Sequence, residues 1–216
     1  MDVATTIIIA DDHPLFRGAL KQALSSMEGH PAIIEAADFD EARKAAKDNP
    51  DADLLLLDLS MPGVSGLTGL IMLRAEHQNI PVAVISASDD TVTVRRALEL
   101  GASAFISKSS GIEEIREAIS TVLEGGMWAP PGYDSDREND PEIASLIARL
   151  KTLTPQQTRV LGMIGEGLLN KQIAYELGVS EATIKAHVSA ILLKLNVDSR
   201  TQAVIQMSKI GAAAQV

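Results

Sequence analysis

Cysteine is missing altogether from this chain of 216 residues. That excludes disulfide scaffolds, cysteine-ligated zinc and thiol nucleophiles, and it fits a reducing cytosol. Aromatic residues are scarce, with three Phe, two Tyr and one Trp, so Leu, Ile, Val and Ala must fill the cores. At 46% hydrophobic residues there are enough of them to do so. The opening Met1-Asp2-Val3 has neither a basic lead nor a long apolar segment, so no secretory signal is expected. No apolar run approaches the roughly 18 residues of a membrane span; the longest, such as Leu54 to Leu57, suit buried strands. The expectation is a cytoplasmic protein with no membrane partner.

Positive charge is also short: the net charge is −10, which at first sight argues against nucleic acid as a partner. Dividing the chain reverses that impression. From Leu150 onward, Lys151, Arg159, Lys171, Lys185, Lys194, Arg200 and Lys209 face only Glu166, Glu176, Glu181 and Asp198. The back part therefore carries +3 and the remainder −13. An acidic front and a mildly basic back suit a regulatory module joined to a nucleic-acid module.

The length is comfortable for two domains. Apolar runs predict strands over Thr6–Ala10, Ala32–Glu35, Asp53–Leu57, Val82–Ile85 and Ala104–Ile106. Amphipathic spacing predicts helices between them, over Pro14–Met27, Phe39–Lys47, Ser65–His77, Thr91–Leu100 and Gly111–Glu124. Strict alternation of five strands and five helices implies an α/β fold, a doubly wound five-stranded parallel sheet covered on both faces. From Trp128 to Pro141 the pattern breaks at Pro130, Pro131 and Gly132 and at acids around Asp134 and Asp136, which reads as a mobile linker. A short helix over Glu142–Lys151 leads out of it. Beyond Thr154, a plausible N-cap with Pro155 at the first helical position, the chain reads as a small all-α domain. The expected boundaries are 5–124, a linker with its short helix over 125–148, and 149–214.

Asp11 and Asp12, Asp58, Ser86 and Lys108 all fall at the carboxyl ends of predicted strands. Ligands of open α/β sheets bind just outside those ends, near the point where strand order reverses. Three carboxylates packed together repel unless a cation sits among them, and such an oxygen-rich set suits Mg²⁺. A carboxylate can also attack phosphorus to give an acyl phosphate, with the Lys108 ammonium and the Ser86 hydroxyl serving the transferred oxygens. Taken singly, Asp12 reads equally as a helix cap, Lys108 as a solvated lysine and Ser86 as a turn serine. Only their joint arrangement points to chemistry.

The segments Ile9-Ala10-Asp11-Asp12-His13-Pro14, Asp58-Leu59-Ser60-Met61-Pro62-Gly63-Val64-Ser65-Gly66, Ile85-Ser86-Ala87 and Gly101-Ala102-Ser103-Ala104-Phe105-Ile106-Ser107-Lys108 resemble the flavodoxin-like receiver domain of response regulators. The resemblance covers about Thr5 to Glu124. It implies that Asp58 is the phosphoacceptor and that Asp11, Asp12, Asp58 and the Ser60 carbonyl organise Mg²⁺. It further implies that Ser86 and Lys108 contact the phosphoryl group and that Phe105 turns inward on activation, against a plain packing role for that ring. Ser109 departs from the family, where proline commonly follows the lysine.

In the C-terminal part, Asn170 to Leu177, then Gly178-Val179-Ser180, then Glu181 onward has the grammar of a helix-turn-helix, with Gly178 ending one helix and Ser180 capping the next. Ile184, Val188, Ile191, Leu192 and Leu195 share the core-facing side, and Asn196 is an acceptable left-handed stop. Lys185, Ala186 and Ser189 share another side, available to a groove or simply solvated. Leu153-Thr154-Pro155, Val160-Leu161, Gly167-Leu168, Asn170-Lys171, Ile173-Ala174, Ser180, Thr183-Ile184-Lys185, His187-Val188 and Lys194-Leu195 together resemble the LuxR-type DNA-binding domain. With a receiver in front, the whole chain resembles the NarL/FixJ family. The resemblance implies Lys185, Ala186 and Ser189 on base edges, with Thr183, His187, Lys194 and Lys171 on the DNA backbone. His187 reads equally as a packed helix residue. Gln157 and Arg159 stand where the family usually has glutamate, and Leu193 where a basic residue is common. Leu169 and Leu193, if exposed, suit a protein contact.

The expectation is a two-component response regulator and not an enzyme, phosphorylated on Asp58 by a sensor histidine kinase, binding DNA and acting as a homodimer when active. The alternative is a phosphorylation-independent DNA-binding factor whose receiver only dimerises. A phosphohydrolase using Asp58 is disfavoured, because such enzymes commonly carry an acid two residues beyond the nucleophile and Ser60 stands there.

Overall fold

The computed structural model describes residues 5–27, 29–64, 66–133 and 140–211. The described residues form two compact units, one ending at Tyr133 and the other starting at Asp140.

In the first unit, β1 (Thr6–Ala10), β2 (Ala32–Ala36), β3 (Leu54–Asp58), β4 (Val82–Ser86) and β5 (Ala104–Ser107) form one sheet in the order β2-β1-β3-β4-β5, all parallel. Strands inside a parallel sheet are covered on both faces and so read as unbroken apolar runs. β3 and β4 are buried at every position, whereas β2, at an edge, is mostly half-exposed. Side chains alternate between faces. Ile7, Ile9, Leu54, Leu56, Ile85 and Ile106 point to one side, where they pack with Leu20 and Leu24 of α1 (Pro14–Ser25) and Ile115 and Ile119 of α5 (Ile112–Leu123). The remaining helices of this unit are α2 (Phe39–Asp48), α3 (Thr68–Glu76) and α4 (Thr91–Glu99), so the chain alternates strand and helix throughout.

Four of the five strands run one residue further than the hydrophobic pattern predicts, which places Asp58, Ser86 and Ser107 inside the ladder as last residues. The Asp58 carboxylate is thereby held by a strand rather than by a loop. α3 was expected from Ser65, which lies outside the described residues; the helix starts at Thr68. Gly66, at φ 52°, is in the left-handed region and cannot belong to a right-handed helix. Trp128, expected to open the linker, instead bridges to Ala104: Phe105 N–H donates to the Trp128 carbonyl at 3.2 Å and Trp128 N–H to the Ser103 carbonyl at 3.1 Å. The backbone beyond α5 thus covers the β5 edge.

The second unit contains α6 (Pro141–Leu150), α7 (Pro155–Gly165), α8 (Asn170–Leu177), α9 (Glu181–Leu195) and α10 (Arg200–Gly211). α6 matches the short helix expected at the end of the linker, but it packs against α9 and α10 through Ile143, Leu146, Ile147 and Leu150. Residues 134–139 of the expected linker and 212–214 of the expected C-terminal domain lie outside the described residues. The Thr154 hydroxyl accepts from Gln157 N–H and the Gln157 side chain accepts from Thr154 N–H. Glutamine closes this capping box as a glutamate would, which accounts for the tolerated departure at 157.

Candidate functional site: an acidic pocket and a helix-turn-helix

Strand order in the first unit reverses between β1 and β3, and the crevice that forms there collects the expected residues. β1 delivers Asp11 and Asp12 just past its end, and β3 delivers Asp58 as its last residue. Lys108 follows β5 and is drawn back towards β4, its N–H donating to the Ser86 carbonyl at 2.7 Å. The Asp11 and Asp58 side chains are 2% and 1% exposed, so their charges need compensation within the pocket.

Lys108 supplies part of it. Its Nζ donates to Asp58 Oδ2 at 2.8 Å and pairs with Asp11 Oδ2 at the same distance. It also lies 5.0 Å above the centroid of the Phe16 ring, within cation–π range. Burial alone would lower the Lys108 pKa; hydrogen bonding and attraction to Asp11 and Asp58 outweigh it and hold the ammonium above the ordinary lysine value. Lys108 is therefore a fixed positive charge between two carboxylates.

The other Asp58 oxygen, Oδ1, accepts from Ser60 N–H at 3.1 Å. Ser86 is 2% exposed and its hydroxyl accepts from Ser88 N–H at 3.2 Å, which orients the side chain at the end of β4. Phe105 is fully buried. Asp12 is not the cap of α1; His13 holds that position.

One oxygen from each of Asp11, Asp12 and Asp58, together with a His13 ring nitrogen, lies within 4.8 Å of the others. Asp11 Oδ2 and Asp12 Oδ1 are buried and hold no hydrogen bond. Three clustered carboxylates, with only Lys108 as a fixed positive charge among them, fit a hard divalent cation such as Mg²⁺.

Three residues here were not singled out from sequence. His13 Nδ1 lies 2.6 Å from Asp12 Oδ1. Arg17 donates to the Asp11 carbonyl at 2.5 Å and to Glu35 at 3.1 Å, tying α1 to β2 beneath the acidic loop. Phe16 underlies the lysine. The only sequence signal was their closeness to Asp11 and Asp12.

In the second unit the turn is built as its residues dictate. Val179 N–H bonds the Ala174 carbonyl and Gly178 N–H the Tyr175 carbonyl, a Schellman ending of α8 with Gly178 at φ 64°. Ser180 then caps α9, its hydroxyl accepting from Thr183 N–H at 3.1 Å. α9 ends in the same way at Asn196, φ 55°. Ile184, Ile191 and Leu195 are buried, while Val188 and Leu192, expected with them, are half-buried. Lys171, Thr183, Lys185, Ala186 and Ser189 are exposed and His187 is half-buried. Leu169 and Leu193 are exposed at 67% and 82%.

The Lys194 ammonium donates to the Thr152 carbonyl at 2.7 Å and to Gln157 Oε1 at 2.8 Å, so it ties α9 to the start of α7. Other basic groups are similarly committed. Arg200 donates to the Leu168 carbonyl and Asn170, Lys185 pairs with Glu181 at 3.0 Å, and Lys209 with Glu142 at 2.6 Å. The +3 of this part overstates its uncommitted charge.

Comparison with known proteins identifies both domains. Residues 7–120 match the model of the response regulator receiver domain, and residues 151–207 that of the bacterial regulatory proteins of the luxR family. The chain is 44% identical to the glycerol metabolism activator of Pseudomonas putida, over 96% of this chain and 97% of that protein. It is 33% identical to the nitrate/nitrite response regulator NarL of Escherichia coli K12, covering 93% of each. Among solved structures, RcsB from Salmonella enterica serovar Typhimurium, bound to promoter P1flhDC with a phosphomimetic, shares the fold at 24% identity and a TM-score of 0.55, over 96% of this chain and 100% of that one. A receiver followed by a LuxR-type domain defines the class of DNA-binding response regulators. Within it, the chain belongs to the NarL/FixJ family.

Proposed function

We propose that Asp58 accepts a phosphoryl group from a sensor histidine kinase and that this controls how the C-terminal unit binds specific DNA and regulates transcription. The observation that carries the reading is Lys108 Nζ at 2.8 Å from the carboxylates of both Asp11 and Asp58, at the switch point of the sheet. An Asp58 oxygen forms the new bond to phosphorus as the nitrogen–phosphorus bond of a phosphohistidine breaks. The departing imidazole keeps the electron pair and takes a proton from solvent. Asp11, Asp12, Asp58 and the Ser60 carbonyl would hold Mg²⁺, which would supply neutralising charge to the phosphoryl oxygens.

The acyl phosphate carries roughly −1.5 to −2 charges where the free carboxylate carried one, so the pocket gains up to about one negative charge and three phosphoryl oxygens. Lys108 then shifts from the two carboxylates to the phosphoryl oxygens, and the Ser86 hydroxyl donates to another of them. Ser86 and Lys108 are linked through their backbones, so this movement reaches β4 and β5, where Phe105 reports it. The protein itself turns over no substrate in this scheme. It acts in the cytoplasm as a homodimer, with the receiver over 5–124 and the DNA-binding domain led by α6. Lys185, Ala186 and Ser189 read base edges while Lys171, Thr183 and His187 fix register on the backbone.

Incubation of the full chain with acetyl phosphate and Mg²⁺ should add one phosphoryl group by intact mass, and Asp58→Ala should abolish it. Labelling that survives in Asp58→Ala removes the assignment.

A further inference from the structure

We propose that Phe16 is a positioning residue for phosphoryl capture: its ring face holds the Lys108 ammonium beside Asp58 without tying it there. The inference rests on the reading of Asp58 as a phosphoacceptor and adds to that site a residue outside its acids, its serine and its lysine.

The Lys108 ammonium meets two carboxylates and one aromatic face. Asp58 Oδ2 and Asp11 Oδ2 each lie 2.8 Å from Nζ, and the Phe16 ring centroid lies 5.0 Å away with the nitrogen over the ring. The Lys108 side chain is 14% exposed, so little water is left to hold the ammonium and its protein neighbours must. The ring has supports independent of the lysine. Phe16 is half-buried and packs against the apolar core that β1, α1 and α5 share. The next residue, Arg17, donates to the Asp11 carbonyl at 2.5 Å and to Glu35 at 3.1 Å, which clamps the first turn of α1 to the loop after β1.

An aromatic face differs from the carboxylates in its lack of direction. A carboxylate takes the ammonium through a directed hydrogen bond, which must break before the lysine can turn to a phosphoryl oxygen. A ring attracts a cation through its quadrupole, over a range of positions within about 6 Å of its centroid. As the acyl phosphate forms, the ammonium can leave the two carboxylates for the phosphoryl oxygens with that attraction kept throughout. An aliphatic side chain would fill the space and exclude water but give no such hold.

The rate at which acetyl phosphate, with Mg²⁺, labels Asp58 in the full chain tests this; an Asp58 oxygen bonds to phosphorus as acetate departs with the electron pair. Phe16→Leu removes the ring face and keeps an apolar side chain, whereas Phe16→Tyr keeps the face. Singly and then triply ring-fluorinated phenylalanine, incorporated at position 16, weakens the quadrupole in steps at nearly constant shape. Phe16→Leu should slow labelling by about three- to tenfold, the rate equivalent of a partly desolvated cation–π contact. Phe16→Tyr should label as the wild type does, and the fluorinated chains should slow in order at unchanged melting temperature. Should Phe16→Leu fail to fold, the fluorinated chains decide alone. A rate indifferent to fluorination overturns the role of the ring face and leaves the phosphoacceptor reading standing. A wild-type chain that acetyl phosphate does not label overturns that reading and this inference with it.

Discussion

Lysines of the second unit that look alike in sequence differ in what their ammonium groups touch. Lys194 serves the protein, bonded to the Thr152 carbonyl and Gln157, whereas Lys171 and Lys185 are exposed on α8 and α9. Lys194→Ala should therefore lower thermal stability and leave the salt dependence of DNA binding unchanged. Lys171→Ala should reduce the slope of log K against log salt by about 0.9, and Lys185→Ala should instead relax the preference among DNA sequences, both with little effect on melting. A fluorescence anisotropy titration at several salt concentrations, beside a thermal melt, separates the two classes. Asp90 offers a second residue-level test. Burial would raise its carboxyl pKa, but hydrogen bonds from Thr93, Ser88 and Val92 hold it below the usual aspartate value. Its stabilisation of α4 is thus fully present above the unfolded value of about 3.9 and fades as pH falls through the lower folded one. Asp90→Ala should cost about 1 kcal/mol at neutral pH. Asp90→Asn should keep most of that cap and flatten the acid limb of stability, as read by urea unfolding across pH. Neither role was legible beforehand. The partners of Lys194 lie 42 and 37 residues away, and no local pattern marks such pairs.

The elements themselves were largely legible, for a physical reason. Interior strands of a parallel sheet must be apolar on both faces, so Leu54–Leu57 and Val82–Ile85 announce themselves. Their last residues did not, because Asp58 and Ser86 are polar and the hydrophobic pattern stops one position early. The same blindness hid the left-handed Gly66 that delays α3, since a glycine shows permission for a conformation and not its use. α6 was found as a helix and placed in the linker, because an amphipathic stripe does not say which partner it buries against. The turn between α8 and α9 was readable in full: Gly178 and Ser180 do what their chemistry favours. Gly178 holds φ 64° with nothing within 4 Å of where a Cβ would stand, so the cost of a side chain there is conformational and not a clash. Gly178→Ala should destabilise the second unit by about 1–2 kcal/mol. Hydrogen exchange at the amides of α9 would register it, while those of β3 and β4 stay protected as before.

Across the whole molecule, an acidic pocket and a helix-turn-helix are carried by separate compact units of one chain, and the proposed function is that chemistry at the first governs DNA binding by the second. A ligand or modification shifts an equilibrium only by its differential interaction with the states involved. The phosphoryl group has that leverage because Lys108 is already shared between Asp11 and Asp58 and must redistribute when one of them is modified. DNA captured from a fragment library by the full chain, with and without acetyl phosphate, measures the consequence directly in wild type and Asp58→Ala. Phosphodonor should change the affinity for the captured sites in wild type and leave Asp58→Ala indifferent. If both proteins bind the same sites with the same affinity whether or not the donor is present, control of DNA binding through Asp58 is contradicted.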